Sequence, residues 1–155
     1  MNYQFSLDYY EKTKESNAKK IYVDDKLVVP SACIDMNFAN NEDLYSSLGL
    51  SFYYSSDECE KMTRCIPSID EKDDLIAILP SFKDDKLIDK MKELKIITDV
   101  VSKELYKGEE YRIAKINLEE LREYCPFDHA VIDDKIKSKN RKQNMLKHNK
   151  EEKER

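Results

Sequence analysis

Residues 32–54, ACIDMNFANNEDLYSSLGLSFYY, decide the reading of the fold. Ala32, Ile34, Met36 and Phe38 alternate with Cys33, Asp35 and Asn37, and Leu48, Leu50, Phe52 and Tyr54 alternate again. A period of two puts successive side chains on opposite faces of a strand. Between the runs stands Asn40-Asn41-Glu42-Asp43, residue types that tolerate left-handed backbone and bond their own main chain. The stretch therefore predicts a β-hairpin with one apolar face.

Outward from the hairpin the same reasoning continues. Tyr3, Phe5, Leu7 and Tyr9 alternate with polar residues and predict a strand. Residues 21–29 (IYVDDKLVV) predict a second strand or a tight hairpin around Asp24-Asp25. Residues 55–74 read as loop, with Pro67 and acidic clusters, although 62–69 has room for a short strand. After Pro80 the period changes. Leu87, Ile88, Met91 and Leu94 recur at helical spacing, so 83–95 is predicted as an amphipathic helix, with Ser81 and Asp84 as a cap-like pair. Ile96, Ile97, Val100 and Val101 favour extended structure, and Gly108 suits a turn. Tyr111, Ile113 and Ile116 predict a strand running back against the hairpin. Asn117 with Glu120 opens a short helix that Pro126 ends. The order predicts an α+β fold: an antiparallel sheet, one amphipathic helix on a face, a short closing helix and a basic C-terminal tail. Residues 1–130 form the expected α+β domain. Residues 131–155 form the tail, disordered or a solvated helix, because 135–155 holds only Ile136, Met145 and Leu146 as large apolar residues.

Composition bounds the function. The chain has 155 residues and a net charge of −5. Residues 135–155 carry nine basic and three acidic side chains, whereas residues 1–134 carry 18 basic and 29 acidic ones. The charge layout is an acidic body with a basic tail. Two glycines exclude a Gly-rich phosphate loop or a dinucleotide fingerprint. No apolar run reaches the length of a membrane span. The N-terminus has neither a basic nor an apolar leader region, and four cysteines are too few for a secreted disulfide scaffold, so a cytoplasmic protein with reduced thiols is expected.

The run LYSSLGLSF at 44–52, LIAILP at 75–80, KDDKLIDKMKELKI at 83–96 and YRIAKINLEELREY at 111–124 is similar to a domain-of-unknown-function family. That family comprises small open reading frames of phages and conjugative elements in AT-rich bacteria. The abundance of Lys, Asn, Ile and Tyr, whose codons are AT-rich, fits that setting. The likeness covers about residues 32–124 and ends in the signature Asn117-Leu118-Glu119-Glu120-Leu121. The chain departs from the family in having almost no glycine between the helix and the last strand. The family brings no catalytic motif, so the resemblance implies context alone: an accessory protein of a mobile element.

Cys59 with Cys65, and Cys125 with His129, supply thiolate and imidazole, but the first spacing is longer than zinc sites use. No metal and no cofactor are expected. A Cys125–His129 nucleophile pair lacks an orienting third group. No catalytic residue is named, and the chain is expected not to be an enzyme. An acidic surface can compete with nucleic acid for a basic groove. Together with tyrosines suited to interfaces, it makes Glu42, Asp43, Tyr45, Tyr53, Asp70, Glu71, Asp73 and Asp74 the candidate partner-binding residues. The expected function is a non-enzymatic protein that binds a host protein or ribonucleoprotein, as an inhibitor of a bacterial defence system such as a CRISPR effector. The alternative is a nucleic-acid-associated accessory protein whose tail contacts phosphate through Lys135, Lys137, Lys139, Arg141, Lys142 and Lys147.

Overall fold

Asp24 and Asp25 both have positive φ, 51° and 65°. They form the two-residue turn between β1 (Ile21–Val23) and β2 (Lys26–Asn40), the geometry that suits the twist of a tight hairpin. β2 then pairs with β3 (Asp43–Tyr53), in register from Val29 opposite Tyr53 to Phe38 opposite Leu44 and, after a register shift, at Asn40 opposite Asp43. The computed structural model describes residues 2–40 and 43–153, with side chains over 9–37 and 44–147. Asn41 and Glu42 of the expected turn lie outside the described residues. β4 (Cys59–Lys61) completes a four-stranded antiparallel sheet in the order β1-β2-β3-β4.

A second antiparallel sheet has the order β5-β7-β6, from β5 (Leu75–Ile78), β6 (Ile97–Tyr106) and β7 (Glu109–Ile116). The sequence reading set the last strand against the long hairpin. Instead β7 lies at the centre of this second sheet. The reason is local: Tyr106 pairs with Glu109 across the Lys107-Gly108 turn, so β6 and β7 close on each other, and β5 takes the remaining edge. The segment at Met62–Arg64 joins the sheets. Met62 N donates to Leu50 O at 3.0 Å, while Arg64 N donates to Ala77 O, also at 3.0 Å. Pro67–Ile69 follows as a single 3-10 turn.

Four helices pack on the sheets, giving an α+β fold. α1 (Asn2–Glu15) replaces the strand expected over residues 3–9. Four alternating positions were too short a pattern to outweigh tertiary contact. Tyr9 and Thr13, four residues apart, form the inward face: Thr13 is buried, and Tyr10 Oη donates to Leu27 O at 3.1 Å. α2 (Asp85–Glu93) buries Leu87, Ile88 and Met91. Its cap is Asp84 rather than Ser81, the Asp84 carboxylate accepting from Leu87 N at 3.1 Å. α3 (Leu118–Arg122) is capped by Asn117, whose side chain accepts from Glu120 N at 3.1 Å. α4 (His129–Lys153) contains the residue 130–131 boundary expected for the tail. Ile132 is fully buried and Lys135 nearly so, which seats the start of this helix on the body.

The main core gathers Ile21, Leu48, Leu50 and Phe52 of the first sheet with Ile76 and Ile78 of the second. α2, α3 and Ile132 close over it. β5 is buried on both faces, since Ala77 belongs to a smaller cluster with Ile66, Ile69, Tyr111 and Ile113. That explains its unbroken apolar run.

α2 ends in a Schellman arrangement, with Ile96 N donating to Met91 O at 2.9 Å and Lys95 N to Lys92 O at 3.1 Å. Lys95 sits in the left-handed region at φ 65°, a position that favours glycine. Lys95→Gly is expected to raise stability by about 1 kcal/mol, measured as a higher urea midpoint at unchanged slope. An unchanged or lower midpoint contradicts this account. The tyrosines give a second test. Burial, and then Asp128, push the Tyr9 phenol far above its ordinary range, and burial and then Asp84 do the same for Tyr54. Both folded values exceed the unfolded one, so their stabilisation is intact below about pH 10 and declines above it, as the unfolded chain ionises first. The 295 nm phenolate absorbance of the native protein is expected to lag that of the urea-unfolded chain, with part of the lag removed by Tyr9→Phe. Coincident curves contradict the assignment.

Candidate binding surface

The acidic loop and the basic tail, predicted as separate sites, lie against each other. Lys142 Nζ is 3.0 Å from Asp73 Oδ2 and also donates to the Glu71 carbonyl, and Lys139 Nζ is 3.2 Å from Asp74 Oδ2. Asp73 is only 6% exposed. The loop is held from its other side by β3. Ser46 N donates to Asp70 Oδ1 at 2.8 Å, and Glu71 N donates to Ser46 O at 2.9 Å. Four of the acidic candidates are therefore engaged within the fold, three as side chains and Glu71 through its main chain.

The remaining candidates are dispersed. Glu42 and the Asp43 side chain lie outside the described residues. Tyr45 is half-buried. Tyr53 stacks on Tyr9 with ring centroids 5.2 Å apart, and Phe127 meets the other side of Tyr9 at 5.8 Å. Among the tail cations, Lys137, Arg141 and Lys147 form no ion pair among the described residues, and Lys147 is exposed. Lys135 is 9% exposed and likewise has no carboxylate partner there.

α4 crosses one face of the long hairpin. It starts beside Ala32, whose N–H donates to Asp128 Oδ2 at 3.2 Å, and reaches the loop tied to Ser46. The hairpin extends past the helix. Ile34, Met36 and Leu44, on the face that is core further back, are there exposed. Between this overhang and α4 lies an open groove of about 780 Å³. Ile34 forms part of it, and Lys135, Lys137, Ser138 and Arg141 line the helix side. Its cations exceed its unpaired acid, Asp134, because Asp73 is committed to Lys142. Sequence reasoning missed Ile34 and Met36 as surface residues. Their alternation is that of a core face, and nothing in it says where the covering helix stops.

The residues considered for catalysis are occupied otherwise. Cys125 is fully buried, and its thiol is pushed well above the ordinary range, chiefly by burial and then by Asp128. His129 Nε2 donates to the Arg122 carbonyl at 3.1 Å. Cys59 is exposed and Cys65 buried. Among the described residues no three His, Cys, Asp or Glu side chains stand close enough to hold a metal ion, and no helix is long and apolar enough to cross a membrane. No known family model, curated relative or solved structure matches this chain, so the reading of the surface rests on its geometry.

If the contact with the acidic loop seats α4, the lysines of that helix are unequal. Lys142→Ala leaves the Asp73 carboxylate nearly buried without a cation and is expected to cost about 1–3 kcal/mol in urea unfolding. Lys147→Ala is expected to change stability by less than about 0.5 kcal/mol. Equal effects would show that the contact with the acidic loop does not hold the helix.

Proposed function

We propose that this chain is a non-enzymatic binding protein that engages another macromolecule through the face shared by α4 and the overhang of the long hairpin. One observation carries the reading: Ile34, Met36 and Leu44 are exposed on one face of the hairpin, and Ile34 lines an open groove with Lys137 and Arg141, which form no direct ion pair among the described residues. Exposed apolar side chains grouped beside unsatisfied charge are typical of surfaces that a partner covers. In the setting that the sequence resemblance implies, a small protein of a phage or mobile element, the partner would be a host macromolecule, and blocking a defence component would be one outcome of binding.

The acidic loop 70–74 contributes less to this reading than its composition suggests. Lys142 and Lys139 already neutralise Asp73 and Asp74. The same pairs weaken the nucleic-acid alternative, because they remove two of the six tail cations from phosphate contact. The test is a chemical crosslinking capture from a bacterial lysate with three forms of the protein. A specific partner is expected to be lost from the Met36→Asp/Arg141→Glu variant and retained by Lys86→Glu on a distant surface. A partner held equally by all three forms refutes the proposed face. Turnover of a small molecule by the purified chain refutes the non-enzymatic reading.

A further inference from the structure

Strand phase shows which way the hairpin's backbone points. Leu50 directs its N–H to Thr63 and its carbonyl to Met62, and Ser46 directs its N–H and carbonyl to the 70–71 loop, all away from β2. Their partners Ala32 and Met36 therefore direct their own N–H and C=O groups to the opposite edge, as does Ile34 between them. β1 covers that edge only as far as Val28, and Asp128 then takes the Ala32 N–H. From Ile34 onward the edge of β2 has no strand neighbour among the described residues. It holds no proline or lysine over Ser31–Asn40, and Asp35 turns its carboxylate to the other face, onto Lys61 and Cys65 N. An edge of this kind is a template for an added strand.

The chemistry next to the edge selects the occupant. Lys135 is nine-tenths buried and has no carboxylate partner among the described residues, and Lys137 and Arg141 stand beside it. Cations gathered along one flank without direct ion pairs attract an anionic partner. The apolar surface is aliphatic: Ile34, Met36 and Leu44. No described aromatic residue lines the groove, so it lacks the stacking platform that single-stranded nucleic acid uses. A second copy added through the same edge would bring two cationic flanks together, which like-charge repulsion opposes.

We propose that the open edge of β2 from Ile34 to Asn37, flanked by Lys135, Lys137 and Arg141, takes an extended acidic and aliphatic segment of a partner protein by β-strand addition. Main-chain bonds to Ile34 and Met36 supply affinity, and carboxylates over the α4 flank supply specificity. This rests on the binding face proposed above and names its partner.

The test is selection of random 12-residue peptides against the full chain at physiological salt. Enriched sequences are expected to combine Asp or Glu with Ile, Leu or Val. Their affinity is expected to fall about tenfold or more with Arg141→Glu and with Met36→Pro, which removes the edge donor. The same loss is expected when alternate peptide nitrogens are methylated, a change that leaves the protein untouched. Enrichment of basic or aromatic sequences, or indifference to methylation, overturns the inference. Two outcomes overturn it while sparing the proposed face. One is binding of a 20-nucleotide single-stranded RNA, lost with Arg141→Glu, in the absence of any enriched peptide. The other is a concentration-dependent dimer abolished by Met36→Pro. If peptide, RNA and self-association all fail, both the inference and the proposed face fall.

Discussion

The Asp128 carboxylate holds three elements at one point. It accepts from Ala32 N on β2 and from the Tyr9 hydroxyl on α1, and the next residue starts α4. The Tyr9 oxygen also lies 3.2 Å from the Pro30 carbonyl. The junction answers a specific demand. β1 leaves β2 at Val28, so the groups beyond would otherwise face solvent or an unpaired interior. Pro30 has no N–H to satisfy, and Asp128 serves the next donor in phase, Ala32. Hydrogen bonds to a charged acceptor contribute about 1.5–3 kcal/mol each. More important here, they set where α4 begins, and the groove exists because α4 crosses the hairpin at that place.

The charge layout follows from the same placement. Net charges of opposite sign in the body and the tail suggested two independent surfaces. Once α4 is seated by Ile132, its later turns run past the 70–74 loop, and Lys139 and Lys142 meet Asp74 and Asp73. Exposed ion pairs contribute little to stability, but the burial of Asp73 makes loss of its Lys142 partner costlier than loss of an exposed pair. Counting charges along the chain cannot separate those that are paired internally from those available to a partner. The pairing leaves Lys137 and Arg141 as the accessible cations on the flank that faces the hairpin overhang.

Much of the fold was legible where local physics dominates. The long hairpin, the Asp24-Asp25 turn, the α2 stripe and the Asn117 cap follow from period, turn chemistry and capping, which act within a few residues. The misreadings share one cause. Residues 3–9 alternate like a strand, but α1 is selected by hydrogen bonds of Tyr9 and Tyr10 to distant segments and by the burial of Thr13. β7 was legible as a strand, while its partners were not, because pairing depends on which edges remain free. At the candidate surface the cations were visible in the sequence. Ile34 and Met36 were assigned to an apolar face correctly, but the extent of cover over that face depends on where α4 crosses, a long-range quantity.

The two long free edges of the molecule differ in a way that bears on function. β6 forms the outer edge of the second sheet. It carries two register shifts, between Ile97 and Asp99 and between Val100 and Ser102, and it bears Asp99, Lys103 and Glu104. Bulges and charges of this kind discourage pairing with another chain. β2 shifts register against β3 only beyond Asn37, between Phe38 and Asn40, and over Ser31–Asn37 its one charged side chain, Asp35, is tied to the opposite face. A chain under pressure only to avoid aggregation would protect both edges. Protection of one edge, with cations gathered beside the other, is the arrangement expected where one edge is kept open for an anionic strand.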